Sequence, residues 1–186
     1  MRIAITGTHG SGKTTLIADF VAANPGYESI AEPYWLLVQQ GTVFADGPTI
    51  ADLEEQLAQS CTLILASSQD DVVFDRCPLD FIAYLEVVGL KEGLDWAPDG
   101  RLLVRIEKAL AALDLVGFVP LRQPDEITTR IEYPKLRARV DSRLKSMLRD
   151  DDLGLLQDGP RIVEISGSRQ QRVLQLAAAA GRGLAL

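Results

Sequence analysis

The chain has 186 residues and a mass of 20.3 kDa, with 47% hydrophobic residues, enough for one packed domain without disulfides or a structural metal. A formal net charge of -7 and a pI near 4.7 exclude a general electrostatic grip on a nucleic-acid backbone and favour a small-molecule partner. Cys61 and Cys77 stand at no metal-ligand spacing, which excludes a zinc site and a disulfide scaffold and suits a reducing compartment. No apolar run approaches the ~18 residues of a membrane span, and neither end shows a leader pattern, so a cytoplasmic protein without membrane association is expected. With no repeat and no linker-like tract, a single domain over residues 1–186 is expected, with a possible lid around 121–150.

Met1 to Thr6 is a β-branched run that meets a glycine cluster, the pattern of a buried parallel strand entering a turn, and a helix follows from Lys13 to just before Asn24. Tyr27 to Ala31 reads as a second strand and Pro33 to Gln40 as a helix whose first turn tolerates proline. Thr49 with Asp52 resembles a capping box, and Ile50, Leu53, Leu57, Cys61 and Ile64 recur at spacings of three and four, which predicts a long helix. A third strand over Asp71 to Asp75 precedes a helix from Leu79 to Val88. Leu102 to Leu113 is a further helix, Leu115 to Val119 a fourth strand, Ile131 to Leu148 a charged helix, Arg161 to Ile165 a fifth strand and Arg169 to Ala180 the closing helix. This alternation predicts an α/β fold with a mainly parallel sheet covered on both faces and ligands beyond the carboxyl ends of the strands.

The chemistry-bearing residues fall at those ends. Gly7, Thr8, His9, Gly10, Ser11, Gly12, Lys13 and Thr14 match G-x-x-x-x-G-K-[ST] between a predicted strand and a predicted helix. Amides of such a loop point at phosphate oxygens, Lys13 reaches the outer phosphates, the Thr14 hydroxyl suits magnesium, and Thr15 extends the nucleotide contact. His9, the single histidine, is expected to point outward without chemistry. Glu32 follows the second strand, placed either to accept a proton from an attacking hydroxyl or to cap the next helix, with Trp35 beside it toward a substrate. Asp75 occupies the place of a magnesium-holding carboxylate, Arg76 that of a phosphate or acceptor contact, and Asp80 either touches substrate or stabilises the helix dipole. Arg130, Arg137, Arg139 and Arg143 are lid candidates, or else part of a solvated face paired with Glu132 and Asp141. Ser168 and Arg169 either reach the nucleotide base or form an ordinary strand-to-helix turn.

On the loop Gly7 to Thr14, Glu32-Pro33, Asp75 to Asp80, the arginines after Val119-Pro120 and Ile165 to Arg172, nearly the whole chain resembles the nucleoside and nucleotide kinase branch of the P-loop fold. The resemblance is closest to small AAA-type ATP-binding proteins similar to the kinase domain of the nicotinamide riboside kinase and regulator family. It implies a three-layer P-loop NTPase sandwich with a five-stranded parallel sheet in order 2-3-1-4-5, ATP and Mg²⁺ as cofactors, Glu32 as base, Asp75 as magnesium partner and Arg76 as acceptor or phosphate contact. Deoxynucleoside kinases similarly pair a Glu-Pro with an acidic-Arg-Ser stretch. Here Asp75 stands for the glutamate and Cys77 for the serine, which leaves the acceptor unnamed.

Two functions compete. A kinase acting on a nucleoside-like or nucleotide-like small molecule would use Glu32, Asp75, Arg76 and a lid on one edge, whereas an ATP hydrolase or switch with a protein partner would need the loop but no acceptor pocket. Acceptor-dependent turnover separates them, and the absence of a guanine-reading Asn-Lys-x-Asp pattern favours adenine.

Overall fold

The computed structural model describes residues 1–122 and 131–181. Their strands are β1 (Arg2–Thr6), β2 (Glu28–Ile30), β3 (Val72–Asp75), β4 (Leu115–Phe118) and β5 (Arg161–Glu164). Every pairing is parallel, and the order is β2-β3-β1-β4-β5. The helices are α1 (Lys13–Ala23), α2 (Pro33–Gln39), α3 (Ile50–Ala66), α4 (Pro78–Glu92), α5 (Gly100–Ala111), α6 (Pro134–Asp150) and α7 (Arg169–Ala179). This is the P-loop α/β architecture that the family pattern implies, with β1 central and flanked by β3 and β4.

Strand alternation divides the core between the two faces. Ile3, Ile5, Val73 and Leu115 pack with Leu16, Phe20 and Leu176 of α1 and α7. Ala4, Val72, Phe74, Val116 and Phe118 pack with α3, α4, α5 and α6 through residues such as Leu57, Ile82, Ile106 and Leu144. Helix α4 is buried nearly all round, from Leu79 to Leu85, so it serves as a rigid post behind the phosphate loop. Both cysteines are buried thiols.

Helix boundaries follow local chemistry. Thr49 accepts from the Asp52 amide at 3.2 Å and so caps α3. Helix α5 begins at Gly100, two residues earlier than its apolar pattern suggests, because the Asp99 side chain accepts from the Leu102 amide at 2.8 Å. Conversely α6 starts at Pro134 and not at Ile131: Tyr133 is left-handed (φ 47), which excludes it from the helix, and Pro134 needs no amide partner in the first turn. Among the described residues no helix is long and apolar enough to cross a membrane.

Candidate phosphate-transfer site

The carboxyl ends of β1 and β3 bring the motif residues together. Gly7 leaves β1 with φ 148, and a Cβ there would stand 2.6 Å from the Val119 carbonyl oxygen, so only glycine permits the turn. The Gly7 amide donates to Asp80 Oδ1 at 3.0 Å, which fixes the loop to α4. Lys13 is buried and its Nζ donates to the Thr8 carbonyl at 2.9 Å. Burial pulls its pKa down to about 8 and Arg76 pulls the same way, while Asp80, Asp75 and Glu32 oppose the drop. An arriving polyphosphate would supply the counter-charge Lys13 lacks.

Thr14 lies in the first turn of α1 and donates its hydroxyl to Asp75 Oδ2 at 2.6 Å. Asp75 Oδ1 is buried with no hydrogen-bond partner among the described residues. Burial raises the Asp75 pKa despite the opposing pull of Lys13, Thr14 and Arg76. A hydroxyl beside a half-satisfied carboxylate suits a hard divalent cation such as Mg²⁺, which takes one or two protein oxygens and leaves its other positions to phosphate and water. Among the described residues no group of three His, Cys, Asp or Glu side chains could hold a metal by itself.

Arg76 follows β3 in a left-handed backbone conformation (φ 81), uncommon for a residue with a Cβ. That turn aims its guanidinium inward, where Nε donates to Glu32 Oε1 and Nη1 to Asp80 Oδ1 and the Gly7 carbonyl, both at 3.2 Å. Glu32 supplies the backbone N-cap of α2 but makes no side-chain capping bond, its carboxylate being committed to Arg76. Burial would raise the Glu32 pKa, but Arg76 and then Lys13 outweigh it and hold the carboxyl below its ordinary value. Asp80 is fully buried and completes a capping box with Cys77 while holding Gly7 and Arg76.

His9 does not simply point outward. Its Nε2 meets the Glu132 carbonyl at 2.7 Å and its Nδ1 the Tyr84 hydroxyl at 2.6 Å. Since a carbonyl only accepts, Nε2 carries the proton in the neutral ring and Tyr84 donates to Nδ1. Tyr84 also accepts from the His9 amide at 2.9 Å and lies 3.2 Å from Thr8 Oγ1, so one α4 hydroxyl ties Thr8 and His9 together.

The other expected residues occupy distinct places. Arg137 is buried and donates to the His9 and Gly10 carbonyls at 2.9 and 3.0 Å. Arg143 pairs with Glu86 of α4 and with Asp152, and Arg139 is exposed. Arg130 lies outside the described residues. Of the segment expected to form a lid, 134–150 is α6, whose Val140, Leu144 and Met147 join the core, and 123–130 is outside the described residues. Asp141 meets Lys145 and the Leu121 amide. Ser168 caps α7, and Arg169 pairs with Asp19. Sequence reasoning did not single out Arg172, which is buried and donates to the Ser11 carbonyl at 2.9 Å and to the Gly167 carbonyl at 2.8 Å. Its position one turn into α7, below the Ser168 cap, was the available signal.

Two recesses flank the loop. One, of about 160 Å³, is lined by Gly12, Thr15, Arg137, Arg169 and Arg172 among others. The second, of about 570 Å³, is walled by His9, Glu32, Trp35, Arg76, Tyr84 and Tyr133 together with the 44–48 loop and the start of α3. Fold and loop together define a P-loop α/β protein with a nucleotide-binding loop at the end of its central strand.

The chain belongs to the AAA domain family, whose model matches residues 2–172. No curated protein matches it in sequence. Among solved structures it is similar to thymidylate kinase from Candida albicans (19% identity, TM-score 0.61, covering 96% of this chain and 90% of that one). It is also similar to deoxyadenosine kinase from M. mycoides with bound dATP (17%, 0.63, 97% and 100%). A third similar structure is the NadR protein in complex with NAD and AMP-PNP (18%, 0.66), which covers 99% of this chain and only 50% of its own.

Proposed function

We propose that this protein is an ATP- and magnesium-dependent phosphotransferase acting on a hydroxyl or phosphate of a nucleoside-like or nucleotide-like small molecule, in the cytoplasm. The observation that carries the reading is a second, larger cavity on the far side of the phosphate loop, with the Glu32 carboxylate in its wall. A hydrolase or switch needs no such acceptor chamber.

In this reading the loop amides, Lys13 and Arg137 hold the triphosphate, with Thr15, Ser168 and Arg169 toward the base. Thr14 and Asp75 hold Mg²⁺, which when bound offsets charge on the phosphate oxygens. Trp35 and Asp80 bound the acceptor side, Asp80 through Arg76. With a hydroxyl acceptor, its oxygen attacks the terminal phosphorus, the bond from that phosphorus to the bridging oxygen breaks, ADP leaves with the electron pair, and the hydroxyl proton passes to Glu32. A carboxylate kept ionised by Arg76 and Lys13 is ready for that proton at neutral pH.

The test is transfer of label from ATP to a panel of nucleosides, nucleotides and small alcohols. A labelled product is expected, with Lys13→Ala failing to bind ATP and Glu32→Gln binding it normally while losing about 10²- to 10⁴-fold in kcat. Retention of full turnover by Glu32→Gln would remove the carboxylate from the chemistry. ATP consumption that no acceptor stimulates would favour the switch reading.

A further inference from the structure

The two recesses differ in charge. Among the described residues the smaller is lined by Arg122, Arg137, Arg169 and Arg172 and by no carboxylate, although Arg122 pairs with Glu164 and Arg169 with Asp19 beyond the lining. The larger has four carboxylates in its wall among the described residues, Glu32, Asp46, Asp52 and Glu132, against Arg76 and His9. Arg76 is already committed: its guanidinium meets Glu32, Asp80 and the Gly7 carbonyl, and it lies over the Tyr84 ring at 5.6 Å. His9 contributes no positive charge at neutral pH, since burial lowers its pKa and both ring nitrogens are engaged.

The rest of that cavity is aromatic. Tyr34 stacks on Phe44 with centroids 4.7 Å apart, and Trp35 meets Tyr34 edge-on at 5.0 Å. Tyr133, half exposed, reaches across from the start of α6 to the turn at Gly47, where a Cβ would lie 3.2 Å from its hydroxyl oxygen. Such walls take a flat ring on its face, and about 570 Å³ falls within the range of small-molecule sites.

Resting on the phosphotransferase reading above, we propose that the acceptor is an unphosphorylated nucleoside, its ring against these aromatic walls and its hydroxyl toward Glu32, and that the site discriminates against the corresponding monophosphate. A phosphate dianion there would face four carboxylates, and the guanidinium that lines the cavity among the described residues, Arg76, is already paired with Glu32 and Asp80. Like charge at close range is an effective means of rejecting a wrong ligand. The polyphosphate belongs at the arginine-lined recess, so donor and acceptor are sorted by charge on opposite sides of one loop.

Equilibrium binding tests this without depending on turnover. The arginine-lined recess is first saturated with a non-hydrolysable ATP analogue and magnesium, so that monophosphates cannot bind there. Adenosine, guanosine, cytidine, thymidine and their 5′-monophosphates are then titrated. At least one nucleoside is expected to bind about a hundredfold more tightly than its monophosphate, and Asp46→Lys to narrow that ratio about tenfold. A monophosphate that binds as tightly as its nucleoside, a ratio unmoved by Asp46→Lys, or no nucleoside binding would each overturn the proposal. Nucleosides that bind in preference to their monophosphates but receive no phosphate would overturn the phosphotransferase reading, and with it the acceptor role, while leaving the discrimination by charge intact. A monophosphate that binds more tightly and is phosphorylated would do the reverse.

Discussion

Lys13 carries a charge that the folded chain keeps from water, and its pKa of about 8 against an ordinary 10.5 states what that costs. Between those values the unfolded chain holds more protons than the folded one, so stability rises with pH across that window and the cost is fully present below pH 8. Lys13→Met should therefore melt higher than the unsubstituted protein at pH 7, by the equivalent of about 3 kcal/mol, the gap closing as pH approaches 10.5. The variant should also lose the nucleotide-induced rise in Tm; a lower Tm at pH 7 would show that the burial cost is already met. His9 has the same sign at lower pH. Its folded pKa is depressed by burial, so the stability it adds is present above about 6.5 and fades below it. His9→Ala should lose about 1–2 kcal/mol in urea unfolding at pH 7.5 and much less at pH 5. The loop Gly7 to Thr14 was legible as a string of residue types at fixed spacing. The two-sided grip of His9 was not, because Tyr84 and Glu132 lie 75 and 123 positions away in sequence. Arg76 likewise reads as an arginine after a strand, and only the fold reveals the left-handed turn that aims it.

At the scale of elements, α6 raises the question of which arginines belong to catalysis and which to packing. Arg137 lies one turn into the helix and touches the loop carbonyls, whereas Arg143 ties the same helix to Glu86 on α4 and to Asp152. Arg143→Met should cost about 1–2 kcal/mol in denaturant unfolding and leave ATP affinity within about twofold. Arg137→Met should weaken ATP at least about tenfold by calorimetry, and equal affinity in the two variants would erase the distinction. Apolar spacing made α3 readable because it buries one stripe, Leu53, Leu57, Cys61 and Ile64, against the core. Periodicity was silent on two boundaries, at Asp99 and at Tyr133, where a cap and a positive φ decide. It was equally silent on strand order, because a strand buried on both faces carries no mark of its neighbours; the order came through the family pattern.

For the molecule as a whole, a net charge of -7 surrounds a recess lined by four arginines. Polyphosphate affinity should then fall as salt rises, while binding of an uncharged acceptor stays nearly flat, a contrast measurable by repeating both titrations between low and high ionic strength. The same asymmetry gives the chain a built-in optical reporter. Of its two tryptophans, Trp35 is 57% exposed in the wall of the acceptor cavity, whereas Trp96 packs against the core and donates to Glu54 at 2.9 Å. Replacing Trp96 by Phe would leave a single indole, whose emission colour reports whether water or a bound ring lies beside it. A cuvette experiment could then follow acceptor entry in real time, without a label and without waiting for a product.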